Sequence, residues 1–295
     1  MKWIKKGQIY KPALQPTPYL LSEDVIRMFV GIRDKQGISR IHYVDLDSNN
    51  PSKILKVSKN PILDIGEVGC FDDNGVVPCA VIEYDNRLYM YYAGYQLGTR
   101  VRMLIFSGLA VSDDKGETFE RCSKIPIMDR TTEETLFRVI HSIMFKDGVF
   151  KTWYGGGSYF KQGKHKTLPL YDIRYGETSN LKEFKFKPNT IIPTSEDEYR
   201  VGRPYVIEDN GVYRMFFCAG SEKLTYKLAY AESNNGNNWI RKDEKLNLEL
   251  SYSGWDSEMM AYPALVRCKT KVYLFYNGNG YDQEGFGYAE LIDEL

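Results

Sequence analysis

The chain has 295 residues, of which 43% are hydrophobic, so it is long enough to bury one large core. Its 39 basic and 39 acidic side chains give a formal charge of zero, which argues against a broad nucleic-acid-binding surface. No apolar run reaches the roughly 18 residues that a membrane-spanning helix needs. The 14% aromatic content favours strands over helices.

The N-terminal segment, MKWIKKGQIYKP, carries lysines without an apolar stretch behind them, so we do not expect a secretory signal. The cysteines are scattered and show no CxxC spacing, which argues against a zinc site. We therefore expect a cytoplasmic protein with reduced, mostly buried thiols. The five cysteines are Cys70, Cys79, Cys122, Cys218 and Cys268.

One pattern recurs along the chain: an apolar strand, a polar turn, then an alternating strand rich in tyrosine and phenylalanine. In chain order the copies are PYLLSEDVIRMFVGIRD from Pro18, PCAVIEYDNRLYMYYAGY from Pro78, HSIMFKDGVFKTWYGGGS from His141, PYVIEDNGVYRMFFCAGS from Pro204 and PALVRCKTKVYLFYNGNG from Pro263. Units of about 60 residues therefore fill the chain as internal repeats.

A third strand follows in each unit, and a fourth follows in some. The third strands are RIHYVDL, SGLAVSD, DIRYGET, KLAYAES and GFGYAEL. Four short antiparallel strands per repeat, closed radially, predict an all-β, five-bladed β-propeller that occupies residues 1–295 as one domain. The last unit stops after its third strand, and the segment from Trp3 resembles the fourth strand that begins at Trp239. We therefore expect the strand from Trp3 to Ile9 to close the blade that contains Tyr288.

The segment from Asp73 to Pro78, the strands YMYYAGY and RMFFCAG, and the unit LAYAES with NNGNNW resemble the five-bladed propeller glycosidases. That group includes glycoside hydrolase families 43, 32, 68 and 130, and the resemblance covers nearly the whole chain. It implies a sugar bound where the innermost strands open into a funnel lined by acidic residues. Glycoside hydrolysis of this kind needs two carboxyl groups that flank the scissile bond.

The entrances of the first two inner strands differ in their carboxylates. The first, from Lys11 to Pro18, has none, although families 43 and 32 place an aspartate there. The second offers Asp72 and Asp73, of which Asp73 is the preferred candidate. An Asx turn beside glycine is the alternative explanation for these aspartates.

The third and fourth entrances are basic. Arg138 and His141 precede the third inner strand, and His141 is a candidate for hydrogen bonding, anion binding or acid–base chemistry. A hydrogen-bonded structural histidine is the alternative. Arg200 and Arg203 precede the fourth strand with Glu198, either lining the site or forming surface ion pairs with the acidic run at 195–198.

The fifth entrance holds Glu258, which lies five residues before Pro263 as Asp73 lies before Pro78. This matched offset predicts that the two carboxylates converge on one axis. Trp255 is expected to stack on a sugar face or to pack in the core, and Tyr262 to contribute a hydroxyl.

These residues predict a glycoside hydrolase-like or phosphorylase-like enzyme whose carbohydrate ligand is neutral, anionic or a sugar phosphate. The alternatives are a non-catalytic carbohydrate-binding propeller and a sugar-modifying or sugar-transferring enzyme of cytoplasmic polysaccharide biosynthesis. We expect no cofactor, no structural metal, no nucleic-acid partner and no membrane span; an ion in the channel and the oligomeric state stay open. The predicted catalytic residues are Asp73, Glu258 and His141, and the predicted substrate-binding residues are Arg138, Arg203, Arg200, Asp72, Glu198, Trp255 and Tyr262.

Overall fold

Alternating apolar and polar residues, broken by glycine-containing turns, make this chain almost entirely β-structure in a computed structural model that describes residues 1–164, 167–195 and 197–295. Within these ranges there are twenty strands and one short helix. The predicted all-β class is confirmed. In chain order the elements are β1 (Trp3–Tyr10), β2 (Leu14–Ser22), β3 (Val25–Arg33), β4 (Ser39–Asp47), β5 (Ile54–Val57), β6 (Val76–Tyr84), β7 (Arg87–Leu97), β8 (Met103–Ser112), β9 (Glu120–Arg121), β10 (Phe137–Lys146), β11 (Val149–Gln162), β12 (Thr167–Thr178), β13 (Thr190–Ile192), β14 (Glu198–Asp209), β15 (Val212–Ser221), β16 (Lys227–Ser233), β17 (Ile240–Arg241), α1 (Asp243–Leu246), β18 (Ala261–Arg267), β19 (Val272–Asn277) and β20 (Phe286–Leu291).

The described strands form four hydrogen-bonded sheets. Three have four strands each, in the orders β2-β3-β4-β5, β6-β7-β8-β9 and β1-β20-β19-β18. The fourth sheet joins β10 to β13 with β14 to β17, and its two halves meet in a single parallel pair, Tyr171 with Arg200. We call each set of four antiparallel strands a run. The sheets as hydrogen-bonded units do not establish the predicted number of five blades.

We call one strand of each run its inner strand: β2, β6, β10, β14 and, in the run that β1 completes, β18. Each inner strand contacts the inner strands of the neighbouring runs. β2 contacts β6, β6 contacts β10, β10 contacts β14, β14 contacts β18, and β18 contacts β2 again. The inner strands therefore enclose a common axis, and their side chains at one end can meet in a single space.

The N-terminal strand completes the last run, as the sequence predicts. β1 pairs antiparallel with β20, with Trp3 opposite Leu291 and Gly7 opposite Tyr288. Because the final residues and the first residues share one sheet, the run from β18 to β20 gains its fourth strand from the other end of the chain. This pairing leaves no unpaired edge on β20.

The second strand of each run is buried on both faces, which explains its nearly continuous apolar sequence. In β7, the stretch Met90 to Ala93 is buried throughout, and β15 shows the same from Met215 to Ala219. Aromatic rings fill the space between runs; Trp3 of β1, for example, meets Phe216 of β15 edge-on with ring centroids 6.4 Å apart. Strand β1 is therefore packed against the run from β14 to β17 and also hydrogen-bonded to β20 of its own run.

All five cysteines are free thiols, and Cys79, Cys218 and Cys268 are buried. No helix in the described ranges has the length and apolarity to cross a bilayer. The same residues contain no cluster of three or more histidine, cysteine, aspartate or glutamate side chains arranged to hold a metal ion.

Replacing Trp3 with alanine is expected to lower the free energy of unfolding by about 3 kcal/mol, because it removes a large buried side chain where β1 packs on the neighbouring run. Urea denaturation followed by circular dichroism measures this. Ile4→Ala on the same strand is the matched control, since Ile4 is 45% exposed and its loss should change stability by less than about 0.5 kcal/mol. Equal losses in the two variants would contradict a stabilising role for strand closure.

Candidate active site at the axis

The inner strands open into a cavity of about 470 Å³ at one end of the axis. All five runs contribute lining residues, and in two of them the long hairpins β7–β8 and β11–β12 extend the wall. The polar side chains on its wall are Gln15, Arg33, Tyr95, Arg102, His141, Thr167, Tyr171, Tyr199, Arg200, Arg203, Cys218, Tyr226, Tyr262 and Tyr281. This volume falls in the range usual for small-molecule sites.

Each inner strand carries a break in its pairing register at the same place relative to its run. The breaks fall between Leu14 and Thr17, Pro78 and Ala80, Ile140 and Ser142, Gly202 and Tyr205, and Ala261 and Ala264. A β-bulge inserts an unpaired residue and re-aims its side chain. The residues in these breaks include Gln15, Cys79, His141, Arg203 and Tyr262, and all but Cys79 line the cavity.

The backbone at three of these positions confirms an unusual local geometry. Gln15, Arg203 and Tyr262 have positive φ angles of 62°, 56° and 56°. Non-glycine residues rarely adopt this region, and where they do the surrounding structure over-determines it. These three residues therefore adopt a backbone conformation that their surroundings must hold in place.

Arg203 forms the floor of the cavity. Its side chain is only 2% exposed and donates to the backbone oxygens of Cys79, of His141 at 3.2 Å and of Pro16 at 3.4 Å. It also donates to the Thr17 hydroxyl at 2.8 Å. These acceptors belong to β2, β6 and β10, so one guanidinium ties β14 to three of the four other inner strands. No carboxylate among the described residues pairs with it, and burial lowers its pKa, although an arginine remains protonated.

Arg200 lies in the wall of the cavity, where its guanidinium packs on tyrosine rings. Its guanidinium carbon is 3.8 Å from the ring centroid of Tyr226 and 4.8 Å from that of Tyr199, within the range of cation–π contacts. One terminal nitrogen donates to the Thr225 carbonyl at 2.6 Å. Tyr226 in turn packs against Tyr262 and Tyr281, with centroids 5.9 and 6.2 Å away.

Three tyrosines of the cavity, Tyr171, Tyr226 and Tyr262, are neutral hydrogen-bonding groups. Burial raises the pKa of Tyr171 to about 12, and it raises the pKa values of Tyr226 and Tyr262 well above their ordinary value. The hydroxyls of Tyr171 and Tyr226 hydrogen-bond each other. A ligand in this cavity therefore meets aromatic faces and protonated hydroxyls together, the combination that suits sugar rings.

His141 is a neutral imidazole in this setting. Burial lowers its pKa well below the ordinary value, and the charge of Arg203 lowers it further. Its Nδ1 is buried without a hydrogen-bond partner among the described residues. At neutral pH this uncharged ring offers one nitrogen as a hydrogen-bond acceptor and the other as a donor, and it is a weaker base than an exposed histidine.

No aspartate or glutamate lines the cavity in the part of the chain that the structure describes. Outside the wall, Asp282 forms an ion pair with the lining residue Arg33. Of the predicted site residues, His141, Arg200, Arg203 and Tyr262 do line this space. Asp73, Glu258, Arg138, Asp72, Glu198 and Trp255 do not line it. The predicted funnel brings Asp73 and Glu258 together with Arg138, His141 and Arg203, and of these five His141 and Arg203 line this cavity.

The two predicted carboxylates, Asp73 and Glu258, lie in turns outside the cavity wall. The Asp73 side chain accepts the N–H of Gly69, four residues earlier, at 2.8 Å. This bond holds the preceding turn, but it is not the Asx turn considered from the sequence, which would run to an N–H two residues further on. Glu258 is exposed, and its own N–H donates to the Asn279 side chain at 2.8 Å. Their matched offset counts residues along the chain but does not fix where the side chains point. Their catalytic roles stay predictions.

Strand alternation explains why Arg138 misses the cavity. Phe137, Val139 and His141 line it, and successive strand residues face opposite sides, so Arg138 points away. There its Nε lies 2.7 Å from a carboxylate oxygen of the fully buried Glu134. Arg138 therefore forms an ion pair inside its run and does not reach the cavity.

The remaining predicted ligands, Asp72, Glu198 and Trp255, contact other protein side chains outside the cavity wall. Asp72 is 1% exposed and accepts from the Tyr92 hydroxyl at 3.0 Å and from Arg121 at 2.7 Å. Glu198 accepts from Arg241 at 2.7 and 2.9 Å. Trp255 stacks on Tyr276 with centroids 5.0 Å apart, which is the core-packing alternative.

The sequence reading missed most of the wall. Arg33, Arg102, Tyr95, Tyr171, Tyr226 and Tyr281 come from strands and loops outside the inner-strand entrances. Tyr199 lies in the fourth entrance, directly before Arg200, but was not among the predicted site residues. The high tyrosine content was a usable signal for these tyrosines. His141, Arg203 and Tyr262 were predicted, because each directly precedes Pro204, Pro263 or the equivalent Ser142 at the start of an inner strand.

Comparison with known proteins places the chain in a family. It is 32% identical over 303 residues to the "Uncharacterized protein Rv1502" of Mycobacterium tuberculosis (strain ATCC 25618 / H37Rv), with 99% of each chain covered. The chain belongs to the Rv1502 family. No family model matches it.

Solved structures show that the Rv1502-family chain has the fold of the propeller glycoside hydrolases of families 43 and 130. It is similar to a "Glycoside hydrolase" structure (TM-score 0.77, 19% identity, 99% of this chain and 92% of that chain). It is also similar to a thermostable family-43 glycoside hydrolase (TM-score 0.69, 17% identity, 97% and 90% covered). A third similar structure comes from family 130, described as mannoside phosphorylases that include glycoside hydrolases (TM-score 0.69, 13% identity, 96% and 85% covered).

Replacing His141 with glutamine is expected to flatten the pH dependence of stability below neutrality. The folded pKa of His141 is lowered, so its contribution is fully present above the unfolded pKa of about 6.5 and is lost as the pH falls. The wild-type protein should lose up to about 1.4 kcal/mol per pH unit through this group, and the variant should not. Urea unfolding at pH about 7.5 and about 5.5 measures the difference.

His42→Gln is the comparison variant, because His42 lies on β4, away from the cavity. Burial lowers the pKa of His42 too, so this variant should lose the pH dependence of His42 alone and keep that of His141. If His141→Gln and the wild type lose stability in parallel on acidification, the side chain is not held neutral at the axis.

Proposed function

We propose that this Rv1502-family protein binds a glycoside in the central cavity of a five-bladed propeller. The observation that carries the proposal is the cavity wall, where tyrosine faces, protonated hydroxyls and cations converge from every run. One fold can host many functions, so the fold similarity alone does not identify the ligand. The argument for a carbohydrate rests on the residues of the cavity wall.

The blade count is part of the proposal. The two halves of the eight-stranded sheet share only the pair Tyr171 with Arg200, and each half is an antiparallel set of four strands. The inner strands close a ring of five contacts, and the register breaks recur once in each. These features favour counting β10–β13 and β14–β17 as separate blades.

Glycoside processing is the second candidate function, and the fold neighbours favour it. Their names include glycoside hydrolases and mannoside phosphorylases. Hydrolysis by two carboxylates requires both groups beside the scissile bond. The described lining contains neither Asp73 nor Glu258, so the geometry supports binding more directly than it supports this reaction. The cytoplasmic location expected from the sequence stays a prediction.

Replacing Tyr262 with phenylalanine is expected to weaken binding of the cognate glycoside about fivefold, the effect of losing one neutral hydrogen bond of about 1 kcal/mol. Burial keeps this hydroxyl protonated at the cavity wall. A glycan array identifies ligands, and isothermal titration calorimetry gives the affinities. Tyr252→Phe is the control, because Tyr252 is fully exposed away from the cavity. Equal affinity in both variants would place the ligand elsewhere.

A screen of aryl glycosides, with and without inorganic phosphate, tests the second candidate. If Asp73 and Glu258 carry the reaction, Asp73→Asn and Glu258→Gln should each lower turnover by roughly a hundredfold while glycoside affinity stays unchanged. Full turnover in both variants would refute their roles. Tight binding with no turnover in the wild type would leave carbohydrate binding as the function.

A further inference from the structure

Arginines in this protein are generally matched with carboxylates, above all where they are buried. Arg27, 2% exposed, donates to both oxygens of Asp45 at 2.8 Å. Arg138 pairs with Glu134 at 2.7 Å, and Arg174 pairs with the same glutamate at 2.9 Å. This pairing is expected, because a buried charge without a partner is costly.

Four arginines depart from this rule: Arg100, Arg102, Arg200 and Arg203 form no ion pair with a carboxylate of the described residues. Three of the four line the central cavity, and only Arg100 does not. They occupy different depths, with Arg203 buried at the floor, Arg200 half-buried in the wall and Arg102 exposed at the rim.

These cations also retain unused hydrogen-bonding capacity. The Nε atoms of Arg200 and Arg203 are buried and have no hydrogen-bond partner among the described residues. The guanidinium of Arg200 is held in one plane by Tyr226 at 3.8 Å and by its bond to the Thr225 carbonyl at 2.6 Å. A planar, pre-oriented guanidinium suits the paired oxygens of a carboxylate or phosphate.

We infer that the cavity is an oxyanion site, in which Arg200 binds a phosphate or carboxylate group, Arg203 supplies fixed positive potential beneath it and Arg102 adds a donor at the rim. The inference rests on the proposed function for its sugar moiety and identifies the ligand class as an acidic glycoside, such as a sugar phosphate or a uronic acid. Because no described carboxylate lines the wall, no protein group there balances the positive charge of these arginines. A negatively charged ligand would balance it.

Calorimetric titration with four compounds tests this: inorganic phosphate, glucose 1-phosphate, glucuronate and glucose. At least one anion should bind the wild type about tenfold or more tightly than glucose, the scale of a charge-assisted hydrogen bond. The phosphate and glucuronate arms separate the two sources of the oxyanion. Added sodium chloride should weaken the binding of the anions and leave that of glucose unchanged.

Arg200→Gln should reduce affinity for the bound anion by about tenfold or more, and Arg200→Lys should lose less, because the charge stays while the planar fork is lost. Arg102→Gln should show a smaller loss, since this side chain is exposed to solvent. Circular dichroism and urea unfolding establish that each variant is folded before it is titrated.

Arg100→Gln is the matched control. Arg100 lies in the same β7–β8 loop as Arg102, is also exposed and also lacks an ion pair with the described carboxylates, but does not line the cavity. Its anion affinity should equal that of the wild type. Loss of affinity in Arg100→Gln equal to that in Arg200→Gln would overturn the inference, because charge alone and not the cavity would then explain binding.

Failure of the inference differs from failure of the proposed function. If no anion binds the wild type, or if glucose binds as tightly as glucose 1-phosphate and Arg200→Gln changes nothing, the oxyanion site is wrong. If inorganic phosphate binds through Arg200 while none of the sugars binds, the oxyanion site stands and the glycoside function falls.

Discussion

The guanidinium of Arg203 is the interaction on which the axis of this protein depends. It bonds to backbone oxygens of β2, β6 and β10 while belonging to β14, so four of the inner strands meet at one buried cation. Backbone oxygens left free by register breaks need donors, since an unpaired buried carbonyl is costly. Arg203 satisfies several of them at once and closes the floor on which the cavity rests.

The register breaks give this arrangement its form. In a regular antiparallel pair, successive side chains of a strand point to opposite faces of the sheet. A register break inserts an unpaired residue and so changes the face to which the side chain at that position points. Gln15, His141, Arg203 and Tyr262 reach the cavity in this way, each from a different run. The positive φ angles at three of them show the cost that the ring of strands imposes on the backbone.

Charge is distributed differently inside the runs and at the axis. Within the runs, buried carboxylates such as Asp72 and Glu134 hold arginines and tyrosine hydroxyls and so stabilise the packing of neighbouring strands. At the axis, the described wall contains arginines, a neutral histidine and tyrosines but no carboxylate. The acidic groups that a two-carboxylate hydrolysis would need are therefore committed to structure or lie in turns, and the positive axis is suited to an acidic ligand.

The sequence by itself determined the repeat, the strands and the closure of β1 on β20, because alternation, turn residues and a missing fourth strand are local signals. It also located His141, Arg200, Arg203 and Tyr262 near the axis from their places at strand entrances. Only the tertiary structure decided which side each residue faces. Arg138 and Arg200 stand opposite equivalent glycines, Gly156 and Gly220, yet one meets Glu134 and the other meets Tyr226. Along the chain the two positions are equivalent, but β14 carries a further register break between Glu198 and Arg200 that β10 lacks. The local register and the partner that folding brings to each arginine decide whether it stabilises a run or faces the cavity.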